Sequence, residues 1–233
     1  IETAAGGKGA AVLPPATYSL SAAREGQLIG AALQVQVTAG MTRSETVVLG
    51  AGRTLTVQVE DPVGAPMPAK VTVTCAASTC PFSPATWKRH VLLEAISGGA
   101  AAVGFVPVTG RLDLTLPPGE YDVTVSRGPE YSVWPDTWPA NGQRVDLTLV
   151  NQQVKAVLGR ILDTPGWMSA DLHVHAINSS DSLVPNERRV ANFLAEGVDI
   201  LVSTDHEFIT DYQPVIDSLG AKSVMASIIE TAE

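Results

Sequence analysis

Six segments between residues 33 and 149 alternate apolar and polar side chains and are set apart by Gly and Pro clusters, and this pattern limits the fold more than any other feature. They cover residues 33–38, 54–59, 70–74, 111–116, 121–125 and 144–149. Side chains on a strand point alternately to its two faces, so these segments read as half-buried strands and not as amphipathic helices. Pro117-Pro118-Gly119 makes a tight turn between two of them, and Pro62, Gly64, Pro66 and Pro68 make residues 61–68 another. Short strands punctuated in this way predict an antiparallel β-sandwich over residues 30–150. Residues 1–29 open on small residues and an adjacent pair of prolines, Pro14-Pro15, and read as a leader or linker.

From Gly166 the pattern changes. Residues 170–175 read as a strand. Residues 185–196 read as a short helix, with Pro185 near its start and Gly197 just past its end. The nearly continuous apolar run of 199–205 is that of a strand covered on both faces. A weak helix near 212–219 and a third strand over 223–230 complete the segment. Strand-helix-strand-helix-strand predicts a parallel sheet over residues 167–233, with 151–166 as a linker. Three strands in 67 residues cannot close a barrel, since eight parallel strands take ~250 residues.

Charge separates the two parts as well. The chain has 233 residues and a net charge of −9. Residues 167–233 hold 11 acidic and 3 basic side chains, together with His173, His175 and His206 of the four histidines. An acidic chain is a poor partner for nucleic-acid phosphates, and no apolar run reaches the ~18 residues of a membrane span. Cys75 and Cys80 are too few for a thiolate zinc site; a small-loop disulfide and two free thiols both suit their spacing. A disulfide goes with an exported protein, periplasmic or extracellular, and a chain starting at Ile1 is compatible with a leader already removed.

The chemistry concentrates at the strand ends of the second part. With a period of two, Asp171, His173 and His175 project from one face of their strand, which puts two imidazoles side by side. The following loop, Asn178-Ser179-Ser180-Asp181, adds a carboxylate, and Thr204-Asp205-His206 ends the next strand with another carboxylate and imidazole. Ends of parallel strands are where such sheets place their sites, and mixed imidazole and carboxylate donors suit Zn, Mn or Fe. Elsewhere the residues read as structural. Tyr131, Trp134, Trp138 and Trp167 seal a domain junction, Arg188 and Arg189 lie on the solvent side of the first helix, and His90 stands without a partner.

Asp171-Leu172-His173-Val174-His175, then Ser180-Asp181, then Ser203-Thr204-Asp205-His206 resemble the first two motifs of the PHP (polymerase and histidinol phosphatase) superfamily, in particular its carbaryl-hydrolase-like branch of metallohydrolases. Leu116-Pro117-Pro118-Gly119-Glu120-Tyr121 and Ser126-Arg127-Gly128-Pro129-Glu130-Tyr131 resemble the carboxypeptidase-regulatory-like β-sandwich that precedes that branch. The resemblance implies a β-sandwich followed by α/β, the latter being the first three β/α units of a distorted (β/α)7 barrel. It also implies metal ligands at His173, His175, Asp181, His206 and Glu230. Asp171 and Asp205 suit orienting the ligand imidazoles, Asp205 also moving a proton, and both suit plain capping of the strand ends equally well.

The reaction implied by the resemblance is hydrolysis of a small-molecule ester, amide, carbamate or phosphoester by a metal-bound hydroxide, because coordination lowers the pKa of water to about 7. The family's remaining ligands lie on strands that would come after Glu233, so this chain would be a truncated domain, inactive alone and prone to self-association through the incomplete barrel. The alternative is a non-enzymatic β-sandwich binding or adhesion module with a structural C-terminal extension.

Overall fold

The computed structural model describes residues 7–20, 23–24, 27–28, 33–48, 52–76, 100–136 and 142–229. Its strands are β1 (Ala16–Leu20), β2 (Ala23–Arg24), β3 (Gln27–Leu28), β4 (Leu33–Val37), β5 (Arg53–Glu60), β6 (Ala69–Cys75), β7 (Ala100–Val106), β8 (Arg111–Leu116), β9 (Glu120–Ser126), β10 (Gln143–Asp146), β11 (Gln152–Val157), β12 (Ala170–Val174), β13 (Ile200–Ser203) and β14 (Ala226–Ile229). Two helices follow β12 and β13, α1 (Asn186–Ala195) and α2 (Gln213–Ser218).

The alternating segments form a β-sandwich. One sheet runs in the order β10-β9-β6-β7 and the other β11-β5-β8. Leu55, Val57 and Val59 of β5 face Val71 and Val73 of β6 and Val123 and Val125 of β9, and all of these are buried in one core. At the start of β9 the buried Tyr121 hydroxyl donates to Pro117 O at 2.7 Å, the corner tie that sandwiches use where a strand turns into a sheet. Strand β7 escapes the alternation test, because Ala100-Ala101-Ala102-Val103-Gly104-Phe105-Val106 mixes small residues with no period. Gly104 is needed there. A Cβ at this position would stand 2.5 Å from Leu112 Cδ2 of β8 in the other sheet.

The sandwich boundaries differ from those expected at both ends. β4 is not part of it, and pairs antiparallel with β1 in a separate two-stranded ribbon, so residues 1–29 hold strands as well as linker. β11 lies in the expected linker 151–166, yet runs parallel to β5 from Gln152↔Leu55 to Val157↔Glu60 and buries Ala156. Leu158 is also in the core, and Ser132 N–H donates to Gly159 O at 2.8 Å. An edge strand with two leading glutamines carries too little apolar alternation to be seen in sequence, and its parallel pairing departs from an all-antiparallel sandwich.

Residues 170–229 form a three-stranded parallel sheet in the order β12-β13-β14, with α1 and α2 packed on one face. Val174, Leu201, Val190, Leu194, Tyr212 and Ile216 make a second core, distinct from that of the sandwich. This is the α/β segment expected. The barrel is not shown.

The two parts meet along α1. Arg127, just after β9, donates from Nη1 to Pro68 O at 2.8 Å and to Leu194 O at 2.7 Å. Lys70 of β6 pairs with Glu196. Gly128 lies so close to Glu196 that a Cβ would stand 2.2 Å from its carbonyl oxygen. Arg188 is not solvated as expected, and sits 5.4 Å from the Phe105 ring centroid of β7. Tyr131 does lie at this junction, under Arg127 at 5.3 Å, whereas Trp134 packs on the sandwich core and Trp167 is exposed. Trp138 and His90 lie outside the described residues.

Candidate functional site

The histidines converge. His173 and His175 stack with ring centroids 4.7 Å apart, and His206 meets His175 edge-on at the same distance. Nε2 of His173 lies 2.7 Å from Nε2 of His175. Asp181 reaches in from the β12–α1 loop, its Oδ1 3.2 Å from His175 Nδ1 and its Oδ2 3.5 Å from His206 Nε2. His175, Asp181 and His206 each offer a donor atom, all within 4.8 Å of one another. Imidazole nitrogens at hydrogen-bond separation need a proton or a cation between them, and three imidazoles with one carboxylate are a transition-metal donor set.

Strict alternation does not produce this cluster. Asp171 pairs with Leu201 but Val174 pairs with Ser203, so β12 spends three residues where β13 spends two. Asp171 Oδ1 accepts the backbone N–H of His173 at 3.0 Å and so ties the bulge that carries the histidine. Asp171 therefore positions His173 through the backbone.

Asp205 is 1% exposed and committed to structure: Oδ1 accepts Ala176 N–H at 2.7 Å and Oδ2 accepts the Thr210 hydroxyl. These bonds tie the end of β12 to the loop after β13, which holds His175 and His206 in one neighbourhood. Glu207, next to His206, has φ +55, a left-handed backbone unusual for a residue with a side chain. Glu230 lies outside the described residues.

Ser179 also belongs to the site, a role that its place in the sequence does not announce. Buried, its hydroxyl donates to Asp181 Oδ1 at 2.6 Å, lies 3.1 Å from His175 Nδ1 and accepts His206 N–H at 3.2 Å. One hydroxyl thus ties together three of the four site residues. The Ser179 hydrogen bond first, and then the imidazoles of His175 and His206, hold the Asp181 carboxyl below the usual carboxylate range. The only signal in the sequence is the polar loop itself.

No family model matches this chain, and no curated protein does. Among solved structures it is similar to the major pilin subunit BcpA of Bacillus cereus, at 16% identity and TM-score 0.31, covering 49% of this chain and 31% of that one. It is similar also to the TIE protein of Bacillus anthracis, at 13% identity and TM-score 0.29, covering 55% and 23%. A streptococcal ancillary pilin matches at 12% identity and TM-score 0.32, covering 64% and 46%. The chain thus spans less than half the length of each.

These findings correct the resemblance to the PHP superfamily. No family model supports the superfamily, and the solved structures named above are two pilin subunits and the TIE protein. The metallohydrolase assignment, its barrel and its reaction are withdrawn. Short motifs mislead here because an H-x-H strand end with a nearby D-H describes a way of gathering donors, and many folds can do that.

Proposed function

We propose that this chain is a non-enzymatic β-sandwich binding module whose α/β extension holds a divalent transition-metal ion on His173, His175, Asp181 and His206. The convergence of these four side chains at the end of the sheet carries the reading of the site. Asp181 and His206 are half-exposed, at 55% and 40% of their side chains, so an ion there keeps coordination positions open to an incoming ligand. Zn, Mn and Fe all suit the donors. The commitment of both Asp205 oxygens to Ala176 and Thr210 supports a holding role over proton transfer.

Export belongs to the same reading. Cys75 is disulfide-bonded and the one other cysteine of the sequence is Cys80, a bond that persists in oxidising compartments. Among the described residues no helix is long and apolar enough to cross a membrane. Leu172, Ile228 and Ile229 are exposed on β12 and β14, which supports self-association of the extension; sedimentation over a range of concentrations measures it.

The test is metal content. The chain is incubated with Zn, Mn or Fe(II), freed of loose ions, and assayed by atomic emission. About one ion per chain is expected, falling to background in His175→Ala with an unchanged circular dichroism spectrum. A chain that retains none of the three, or a His175→Ala variant that retains as much, overturns the reading.

A further inference from the structure

Opposite the side where β7 turns into β8, the sandwich has a seam between β10, the edge of one sheet, and β11, the edge of the other. The seam is a cleft of about 350 Å³, at the lower end of the range for small-ligand sites. Trp134 forms one wall. Its backbone exchanges both hydrogen bonds with Val125, at 2.8 and 2.9 Å, which fixes the Trp134 main chain where the line of β10 would continue along β9. Gln143, Arg144 and Asp146 of β10 and Gln152, Gln153 and Lys155 of β11 supply the rest of the polar lining, with Asp146 Oδ1 accepting from Thr148 N–H at 2.8 Å.

The state of these polar groups says what the cleft would take. Arg144 Nε is held by Asp122 Oδ1 at 2.8 Å and Lys155 by Glu60 at 2.7 Å, so each cation already has a carboxylate partner. Gln153 is held by Gln58 at 3.1 Å and Gln152 by Asp146 O at 3.2 Å; each amide is oriented and keeps further donor and acceptor capacity. One aromatic wall with oriented amides and side chains already ion-paired or hydrogen-bonded fits a ligand with a C–H face and many hydroxyls. An apolar ligand would cover the amides' remaining donors and acceptors without a partner, at a cost.

We propose that the seam between β10 and β11 is a saccharide-binding site, with Trp134 as the stacking platform and the Gln143, Gln152 and Gln153 amides as the hydroxyl-reading groups. This deepens the reading of the chain as a binding module and is independent of its metal site. Preorganised side chains lose little rotamer entropy on binding, which suits a weakly held, solvated ligand.

The test is titration of the isotope-labelled chain with cellobiose, chitobiose and maltose, each to about 50 mM, followed by amide chemical shifts, since a single weak site of this size binds with Kd of about 1–10 mM. At least one disaccharide is expected to shift the side-chain amides of Gln143, Gln152 and Gln153 and the Trp134 indole N–H. Gln153→Ala, exposed and remote from the core, is expected to weaken binding several-fold, and Trp134→Ala to abolish it with β9 amide shifts retained. If Trp134→Ala unfolds, Gln143→Ala with Gln153→Ala decides alone. Shifts that map elsewhere, or none with all three sugars, overturn the proposal. So does an extended Thr/Val hexapeptide that shifts the β10 and β11 backbone amides where the sugars do not, since the seam is then a strand-addition edge. Repeating the titration in EDTA separates the two readings. Sugar shifts that persist with the metal stripped uphold this site whatever the metal content of the parent chain, and metal retention without sugar shifts overturns this site and leaves the metal centre standing.

Discussion

At the scale of single residues, hydrogen bonds to buried or oriented groups decide more than surface charge does. The Tyr121 hydroxyl is buried and bonded to Pro117 O, and Tyr121→Phe leaves that carbonyl without its donor in the corner before β9. A loss of about 1–2 kcal/mol in urea unfolding is expected, with the native spectrum kept. Asp113 accepts the Thr56 hydroxyl at 2.6 Å, and that bond first, with Arg111 beside it, lowers its pKa. A depressed carboxylate contributes stability above its unfolded pKa, about 3.9, and loses it as pH falls through the folded value. Thermal melts at pH 6 and pH 3 should therefore show Asp113→Asn less stable than the parent at pH 6 and the gap closing by pH 3. An unchanged gap would mean that the Thr56 bond does not depend on the charge.

At the scale of elements, α1 depends on a residue from another part of the chain. The last turn of α1 carries no basic residue, and the carbonyl of Leu194 there accepts from Arg127. A cation at a helix C-terminus satisfies carbonyls that the helix leaves open and meets the negative end of its dipole. Arg127→Ala removes donors to two carbonyls on two elements and should cost about 1–3 kcal/mol. Hydrogen exchange at the C-terminal amides of α1 should rise before that of β9. Lys should restore little, because one ammonium on a flexible stem does not reproduce the fixed guanidinium geometry. Equal exchange in Arg127→Ala and the parent would show that packing alone holds the helix end.

At the scale of the whole molecule, two cores imply two units that share a face. The sandwich core includes Ala156 and Leu158, so a chain cut after residue 150 removes β11 and should fail to fold cooperatively. A chain of residues 52–166 keeps every strand of both sheets and should melt as one transition with a β-sheet spectrum. If both pieces melt alike, β11 is dispensable to the sandwich. Metal binding acts on the other core. An ion that binds only the folded extension stabilises it by mass action, about 2.7 kcal/mol at 100 times the Kd, and should shift the unfolding of α1 and α2 more than that of the sandwich.

Sequence by itself determined the strands whose periodicity is local. Five of the six alternating segments lie in the sandwich, because an alternating strand has a core face wherever it sits. It also determined the α/β order after Gly166 and put His173, His175 and His206 at the ends of neighbouring parallel strands. Only the tertiary structure decided the rest. The sixth segment, residues 33–38, carries the same pattern but pairs with Ala16–Leu20 outside the sandwich, because a strand's partner is set by the whole chain and not by its own period. The β12 bulge, the pairing of β11 with β5 across about a hundred residues, the Ser179 hydroxyl between three site residues and the Arg127 bond to α1 have the same origin. Each rests on contacts between residues far apart in the chain or on a local break in regularity, and neither leaves a periodic trace in the sequence.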